Sequence, residues 1–498
     1  MKNIDNLRNE LDVLDDEIIM LLEKRFEISK KIGNLKASSS SLNISNRERE
    51  REILNKCNPY INKESLEKVY EEIFKLSKDL QIKYFLVGKR LDYSLSKEIH
   101  QMLGNLNYQL FSTSSFEEVL KKDFLGINIT NPYKEKAYNA CDKVDDVSKR
   151  IGIVNTIIKK DNLLYGFNTD YQGFKSLLEH YNIEVKGQRI ALIGGGNTSK
   201  TINLVLTDMM ATNIMHFVRH PRLTTELPLN SITNYDFDIL INATSYNVYP
   251  NLEVSPLVNT RMIKSLKTII DVNYNPERSI LSLYNKDIKY YDGLWMLIVQ
   301  AKISEELFKS YHGLKNHLET SVSDIYGILR QKTRNIVLIG MPYSGKTTVG
   351  KMISEKLGYE FFDTDLILED MGLGLSDLLN RGLSEADFRY FESSLIKKLS
   401  TLNHVVIATG GGAILDKHNL LLLSQNGLIV HLDTPLDTII SRIDNTRPLT
   451  SNKDDLIKKY QERINLYNLY SDVTITTDNI DEIIKIIKDK LKYENFNN

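Results

Sequence analysis

At 498 residues the chain is long enough for about three domains of roughly 150 residues each, and its 42% hydrophobic and 26% charged content is that of ordinary globular domains. The 64 Lys+Arg and 65 Asp+Glu are interspersed and leave a formal net charge of −1, which speaks against a nucleic-acid or membrane-surface partner. Two cysteines, Cys57 and Cys141, make neither a disulfide framework nor a metal cluster, the N-terminus carries no signal-peptide core, and no apolar run approaches the ~18 residues of a membrane span, so a cytoplasmic location is expected.

From Ile4 onward apolar residues recur at three-and-four spacing (Leu7, Leu11, Leu14, Ile18, Leu21, Leu22, Ile28, Ile32, Leu35). The pattern predicts one amphipathic helix from about Ile4 to Lys36, roughly 50 Å long. A polar loop around Ser38–Ser41 interrupts it, and two shorter helices are expected near 47–57 and 64–81. Arg25 and Lys36 are 11 residues apart, close to three turns, and share a face. Arg8 lies some 25 Å away along the axis and reaches the same small ligand only from a second, antiparallel copy. On residues alone, the segment is a dimerisation helix with a solvated charged face or part of a shared site.

Leu7-Arg8, Asp15, Leu21-Leu22-x-x-Arg25, Lys36, Arg49-Glu50-x-x-Ile53-Leu54 and Ser77-x-x-x-Gln81, taken in order over residues 1–82, resemble the all-helical chorismate mutases. The resemblance implies an intertwined homodimer that rearranges chorismate to prephenate by restricting its conformation and stabilising a polarised transition state. It implies that Arg25, Arg49 and Arg8 of a second copy grip the two carboxylates. Lys36 and Gln81 would act at the ether oxygen, with Glu50 and Ser77 at the ring hydroxyl. A non-catalytic dimerisation or effector-binding module is the alternative.

The strand Tyr84–Gly88 follows with hardly a linker, and strands then alternate with helical segments, which predicts α/β folding with mostly parallel sheets. Ala191-Leu-Ile-Gly194-Gly195-Gly196, running into a helix at Asn197, reads as a dinucleotide-binding turn. Arg219 ends the next strand, where an arginine suits the 2′-phosphate of NADP. Ser94-Leu-Ser96, Gly126-Ile-Asn128-Ile-Thr130-Asn-Pro132-Tyr-Lys134, Gly152-Ile-Val-Asn155-Thr156 and Asn168-Thr-Asp170 resemble shikimate dehydrogenase, as do Asp271-Val-x-Tyr274-x-Pro276 and Gly293-Leu-Trp-Met296-Leu-x-x-Gln300. The resemblance implies NADPH-dependent reduction of 3-dehydroshikimate to shikimate, with Lys134 and Asp170 as the catalytic pair. Ser94 and Ser96 would bind the carboxylate; Thr130, Asn155 and Gln300 would hold hydroxyls, with Tyr274 nearby. Quinate with NAD is the rival substrate pair.

A helix ending near Arg330 leads within a few residues into Ile336-Val-Leu-Ile339 and Gly340-Met-Pro-Tyr-Ser-Gly345-Lys346-Thr347, a strand, glycine loop and helix in the order of a phosphate-binding P-loop. Gly340, Gly345, Lys346, Thr347 and Thr348 would cradle ATP, and Thr347 with Asp363 would hold Mg²⁺. Asp363-Thr-Asp365, Glu385-x-x-Phe388-Arg389-x-x-Glu392, Gly410-Gly411-Gly412, Thr446-Arg447-Pro448-Leu449 and Glu462-Arg463 resemble shikimate kinase. By that resemblance Asp365 binds and deprotonates the acceptor hydroxyl, Arg389 and Arg463 clamp its carboxylate, Gly411 offers backbone contacts, and Lys346 with the lid residue Arg447 steadies the transferring phosphoryl group.

The fold expected is therefore multidomain. An all-α three-helix dimerising domain (1–82) comes first. A two-lobed α/β dehydrogenase (83–325) follows, with a substrate lobe to about 180, a Rossmann-type NADP lobe over about 181–290 and C-terminal helices returning to the substrate lobe. An α/β P-loop kinase (333–498) ends the chain.

Overall fold

The computed structural model describes residues 4–39, 47–55, 63–314, 320–443 and 453–491. They form two compact units: Met1–Ile183 with Lys200–Val205 and Trp295–Ile325, and Glu184–Ser199 with Leu206–Leu294 and Tyr326–Asn498.

The first unit opens with the helix Ile4–Ser39, followed by Arg47–Leu54 and Lys63–Asp79. The long helix leaves Leu7, Leu11, Leu14, Ile18, Leu21 and Leu35 exposed, because the helix Lys63–Asp79 that packs on it covers only part of its apolar face. After Gln81 comes a six-stranded sheet in the order Tyr108–Ser112, Tyr84–Gly88, Gly126–Ile129, Thr156–Lys160, Leu163–Phe167, Lys143–Val144. Phe85, Val87, Ile127, Ile129 and Ile157 pack on one face, and Tyr84, Leu86, Tyr108 and Ile158 on the other against Phe308. Burial on both faces explains why Tyr84–Val87 reads as a continuous apolar run.

Strand–helix alternation predicted mostly parallel pairing, and three of the five strand pairs of this sheet are parallel, but the sheet is mixed. Thr156–Lys160 runs antiparallel to both neighbours. The cause is local: Lys160 and Leu163 pair directly, so the connection is Asp161-Asn162 alone, and both adopt positive φ (50° and 62°), the two-residue turn that matches strand twist in a hairpin.

The second unit holds two all-parallel sheets. The first runs Lys289–Asp292, Thr268–Asp271, Ile239–Asn242, Arg189–Ile193, Asn213–Val218, Glu226–Pro228, and the second Glu360–Asp363, Val405–Ala408, Asn335–Ile339, Gly427–Leu432, Val473–Ile475. In the second sheet the chain leaves the central strand Asn335–Ile339 for one edge and later returns to its other side. The loop after Ile339 therefore opens at the point where strand order reverses, where a crevice for ligand forms. The helix Val322–Thr333 is separated from this strand by Arg334 alone. No helix among the described residues is long and apolar enough to cross a membrane.

Candidate active sites

In the helical segment, Arg25 Nη1 donates to Ser77 Oγ, bridging the first and third helices. Ser77 donates on to Ile73 O at 2.7 Å, and Gln81 Nε2 donates to Ser77 O at 3.1 Å. Ser77 and Gln81 are buried, and Gln81 Oε1 has no hydrogen-bond partner among the described residues, an acceptor whose burial costs stability unless something donates to it. Gly33 packs against this point so closely that a Cβ there would stand 2.7 Å from Gln81 Cα. Lys36, one turn further, is half-buried, and burial holds its ammonium below the usual lysine range. Glu50 pairs with Lys78 at 2.9 Å and Arg49 with Glu52 of its own helix at 2.6 Å. Arg8 is 72% exposed and leans on Asp5 at the opposite end of the long helix. The structure thus brings Arg25, Ser77 and Gln81 together and leaves Arg8 remote from them.

In the six-stranded lobe, Lys134 begins one helix (Lys134–Ala140) and Asp170 lies in the first turn of another (Thr169–His180). Lys134 Nζ donates to Asp170 Oδ2 at 2.6 Å with both side chains about nine-tenths buried. Asn168 caps the second helix by accepting from Tyr171 N–H at 3.2 Å, which fixes where Asp170 emerges. Asn155 accepts from Thr169 N–H at 2.8 Å and donates to Thr169 Oγ1 at 3.0 Å; Thr169 in turn donates to Gln300 Oε1 at 3.3 Å. Thr130 closes the turn between the strand Gly126–Ile129 and Lys134, its carbonyl accepting from Tyr133 N–H at 3.0 Å. Ser94 Oγ donates to Ser96 Oγ at 3.1 Å.

Beneath these groups runs a buried polar chain that motif reading did not assign. His100 Nδ1 meets Glu305 at 2.5 Å and stacks on Tyr108, with ring centroids 3.7 Å apart. Tyr108 donates to Asn128 at 2.7 Å, Asn128 donates to Thr156 at 2.9 Å and Ser304 at 2.8 Å, and Ser304 approaches Thr169 at 3.3 Å. The chain ends on the residue that orients Asn155 and Gln300. Asn128 and Thr156 stood inside quoted motifs, but their bonds to Ser304, 176 and 148 residues away, leave no local spacing to read.

In the second unit, Gly194 ends the strand Arg189–Ile193, and a side chain there would collide with Ala243 O at 2.9 Å, so the backbone turn requires glycine. Gly195 and Gly196 lead into the helix Asn197–Asp208, whose N-terminal end suits a pyrophosphate. Arg219 is exposed immediately after the strand Asn213–Val218. Tyr274 lies on the loop after the strand Thr268–Asp271. The Asp271 carboxyl is fully enclosed, and burial pushes it up to about 6 against the pull of bonds from Asn242 and Asn273.

In the five-stranded sheet, Gly340 takes φ +151° as the chain leaves the central strand. Lys346 Nζ donates to Gly340 O at 2.9 Å and Met341 O at 2.8 Å, curling over its own loop. Thr347 Oγ1 donates to Asp363 Oδ2 at 2.6 Å, while Asp363 Oδ1 caps the next helix by accepting from Asp365 N–H at 3.0 Å. A hydroxyl and a carboxylate held side by side at a glycine loop fit a hard divalent cation beside phosphate oxygens. Gly345, Thr348 and Asp365 line, with Lys346, Thr347 and Asp363, a cavity of about 820 Å³. Arg463 Nη1 and Tyr467 Oη both donate to Gly411 O, at 2.9 and 2.7 Å. Arg389 pairs with Glu392 at 2.8 Å and Glu385 at 2.9 Å. Glu392 is buried, and burial pushes its carboxyl above the usual range despite Arg389. Its place one turn from Arg389 on the same helix was the signal that could have assigned it a role. Arg447 lies outside the described residues.

Three comparisons bear on these sites. The model for chorismate mutase type II matches residues 7–82, that for the shikimate dehydrogenase substrate binding domain residues 86–157, and that for shikimate kinase residues 342–492. A shikimate dehydrogenase (NADP(+)) of Clostridium perfringens is 34% identical over 269 residues, covering 49% of this chain and 97% of the relative. One of Clostridium beijerinckii is 31% identical over 264 residues, covering 49% and 97%. Among solved structures, shikimate dehydrogenase 1 from Peptoclostridium difficile (32% identical, TM-score 0.44) covers 50% of this chain and is itself covered to 98%. A chorismate mutase/shikimate 5-dehydrogenase fusion protein from Clostridium acetobutylicum (26% identical, TM-score 0.45) covers 50% and is covered to 97%.

Proposed function

The chain belongs to the shikimate dehydrogenase family across its middle half and carries chorismate mutase and shikimate kinase domains on either side, and from that premise we propose how its own residues divide the work of a multifunctional shikimate-pathway enzyme. Its three reactions are reduction of 3-dehydroshikimate to shikimate, phosphorylation of shikimate to shikimate 3-phosphate, and rearrangement of chorismate to prephenate. The cofactors are NADP(H) and ATP with Mg²⁺.

The observation that carries the dehydrogenase assignment is the Lys134–Asp170 contact. Bound NADPH supplies the hydride to the ring ketone. Lys134 gives a proton to the developing alkoxide, and Asp170 holds the lysine in place and accepts a substrate hydroxyl. Asn155 and Gln300, both oriented through Thr169, fix the remaining hydroxyls, and Ser94 and Ser96 the carboxylate. Tyr274 completes the set, and Arg219 takes the 2′-phosphate.

In the kinase domain Asp365 orients the acceptor hydroxyl and takes its proton, while Arg389, Arg463 and the backbone at Gly411 hold the carboxylate end. Thr347 and Asp363 supply the metal's protein contacts. Lys346 exchanges its loop carbonyls for phosphate oxygens, and Arg447 acts from the segment that follows Arg442.

In the helical domain, Arg25 and Arg49 bind carboxylates, with Lys36, Gln81, Glu50 and Ser77 around the ring. Arg8 joins them from a second copy, which the exposed apolar stripe of the long helix supports. The domain boundaries we assign are 1–82, 83–325 and 333–498.

Assaying purified full-length protein for all three reactions tests the reading; an N-terminal domain that binds chorismate without converting it would reduce that domain to an effector module. Arg8→Ala and Arg25→Ala proteins should each lack mutase activity and regain part of it after subunit exchange. Absence of recovery would count against the homodimeric site.

A further inference from the structure

The loop that carries Tyr274 is bonded from beyond its own lobe. The chain leaves the strand Thr268–Asp271 through residues 272–278, and within the lobe Asn273 Nδ2 donates to Thr244 O at 2.9 Å. On its far side, Arg330 of the linking helix Val322–Thr333, itself buried and paired with Asp292, donates to Tyr274 O at 3.3 Å. Arg334 pairs with Glu277, Nε donating at 2.9 Å.

The remaining anchors come from the kinase domain. Asn426 Nδ2 donates to Asn275 Oδ1 and Asn426 Oδ1 accepts from Glu277 N–H, both at 2.8 Å, with both asparagines buried. Arg278 spends its guanidinium on kinase acceptors: Nε on Ser424 O at 2.8 Å, and Nη1 and Nη2 on the Asp472 carboxylate at 2.7 and 3.1 Å. An amide that donates to one loop residue and accepts from another, and a two-pronged ion pair, each fix orientation as well as distance.

We propose that the kinase domain is a positioning element of the dehydrogenase: Asn426 and Asp472 hold residues 274–278, and with them Tyr274, in the geometry that receives the hydroxy-acid substrate. The proposal rests on Tyr274 contacting that substrate, as assigned above. It goes beyond tethering: kinase residues also bond the lobe elsewhere, Thr401 O accepting from Tyr249 Oη and Gln425 Nε2 donating to Glu253 O at 2.8 Å, but the Asn426 bonds and the two-pronged ion pair, which fix orientation, fall on residues 275–278. The coupling is one-sided. Asn426 and Asp472 stand immediately before the parallel strands Gly427–Leu432 and Val473–Ile475, whereas the phosphate loop opens at the other end of the sheet, roughly 15 Å away at the rise of a strand.

The test uses the full-length Asn426→Ala/Asp472→Asn protein. Its dehydrogenase KM for shikimate should rise roughly fivefold, the factor one net hydrogen bond is worth, while its KM for NADP and both kinase KM values stay within about twofold. Hydrogen exchange of the 272–278 peptide should quicken in parallel. An unchanged shikimate KM overturns the proposal, and so does an equal fall in every activity, which would mean a merely structural joint. Tyr274→Phe with the joint intact separates the two layers. If it raises KM and the joint variant does not, the joint proposal alone fails. If it is silent, the substrate role of Tyr274 falls and the proposal with it.

Discussion

Lys134 and Asp170 meet at 2.6 Å from the first turns of two different helices, 36 residues apart in the chain. Neither helix could hold the pair alone. Because the ammonium is the proposed proton donor, Lys134→Met should cut the dehydrogenase kcat by about 10²–10⁴ while leaving phosphorylation intact. Initial rates of NADPH formation and ADP release on one preparation check this, and a loss below about tenfold would remove Lys134 from the proton transfer.

Thr347 donates to Asp363 at 2.6 Å. Thr347→Val keeps the shape and removes the hydroxyl, so the Mg²⁺ concentration giving half-maximal kinase rate should rise at least about tenfold. A Mg²⁺ titration at saturating ATP reads this directly, with shikimate oxidation as the internal control. An unshifted midpoint would argue that the hydroxyl does not touch the metal.

Asp271 sets a pH dependence of stability. Its folded-state value of about 6 lies above that of an exposed carboxyl, so the folded state binds the proton more tightly. The associated stability is present below the unfolded value and is lost as pH rises through about 6. The nucleotide lobe should therefore be more stable at pH 5 than at pH 7.5, by on the order of 1–1.5 kcal/mol from this group. Asp271→Asn should flatten that difference. Hydrogen exchange of the 268–273 strand at the two pH values measures it, and an equal slope in both proteins would assign the effect elsewhere.

Gly33 is a fourth point of leverage. A Cβ placed there would lie 2.7 Å from Gln81 Cα, a backbone atom that cannot swing aside. Gly33→Ala should cost about 1–3 kcal/mol by overpacking and push Gln81 out of register with Ser77. Mutase activity should collapse with dehydrogenase and kinase rates unaffected. A variant retaining full mutase turnover would show that the helix can shift without consequence.

The parts legible in the sequence are those whose cause is local. Spacing gave the helix that the structure runs from Ile4 to Ser39, and apolar runs gave the strands Tyr84–Gly88 and Asn335–Ile339, since each pattern reports burial along a single element. The P-loop was readable because glycine, lysine and threonine act within eight residues. The mixed pairing of the substrate-lobe sheet was missed although its turn, Asp161-Asn162, carried the signal. What stayed hidden depends on distant partners: Glu305 against His100, 205 residues apart, and Asn426 against Asn275, 151 apart. No periodicity encodes a contact that only the finished fold creates.

The uncovered stripe on the first helix gives the three activities different dependences on abundance. On the shared-site reading, two reactions run on a single chain at any dilution, whereas the third needs two chains to meet. Below the dissociation constant its rate grows with the square of protein concentration, as the others grow linearly. The ratio of prephenate made to shikimate phosphorylated then becomes a readout of expression level, fixed by mass action and requiring no effector.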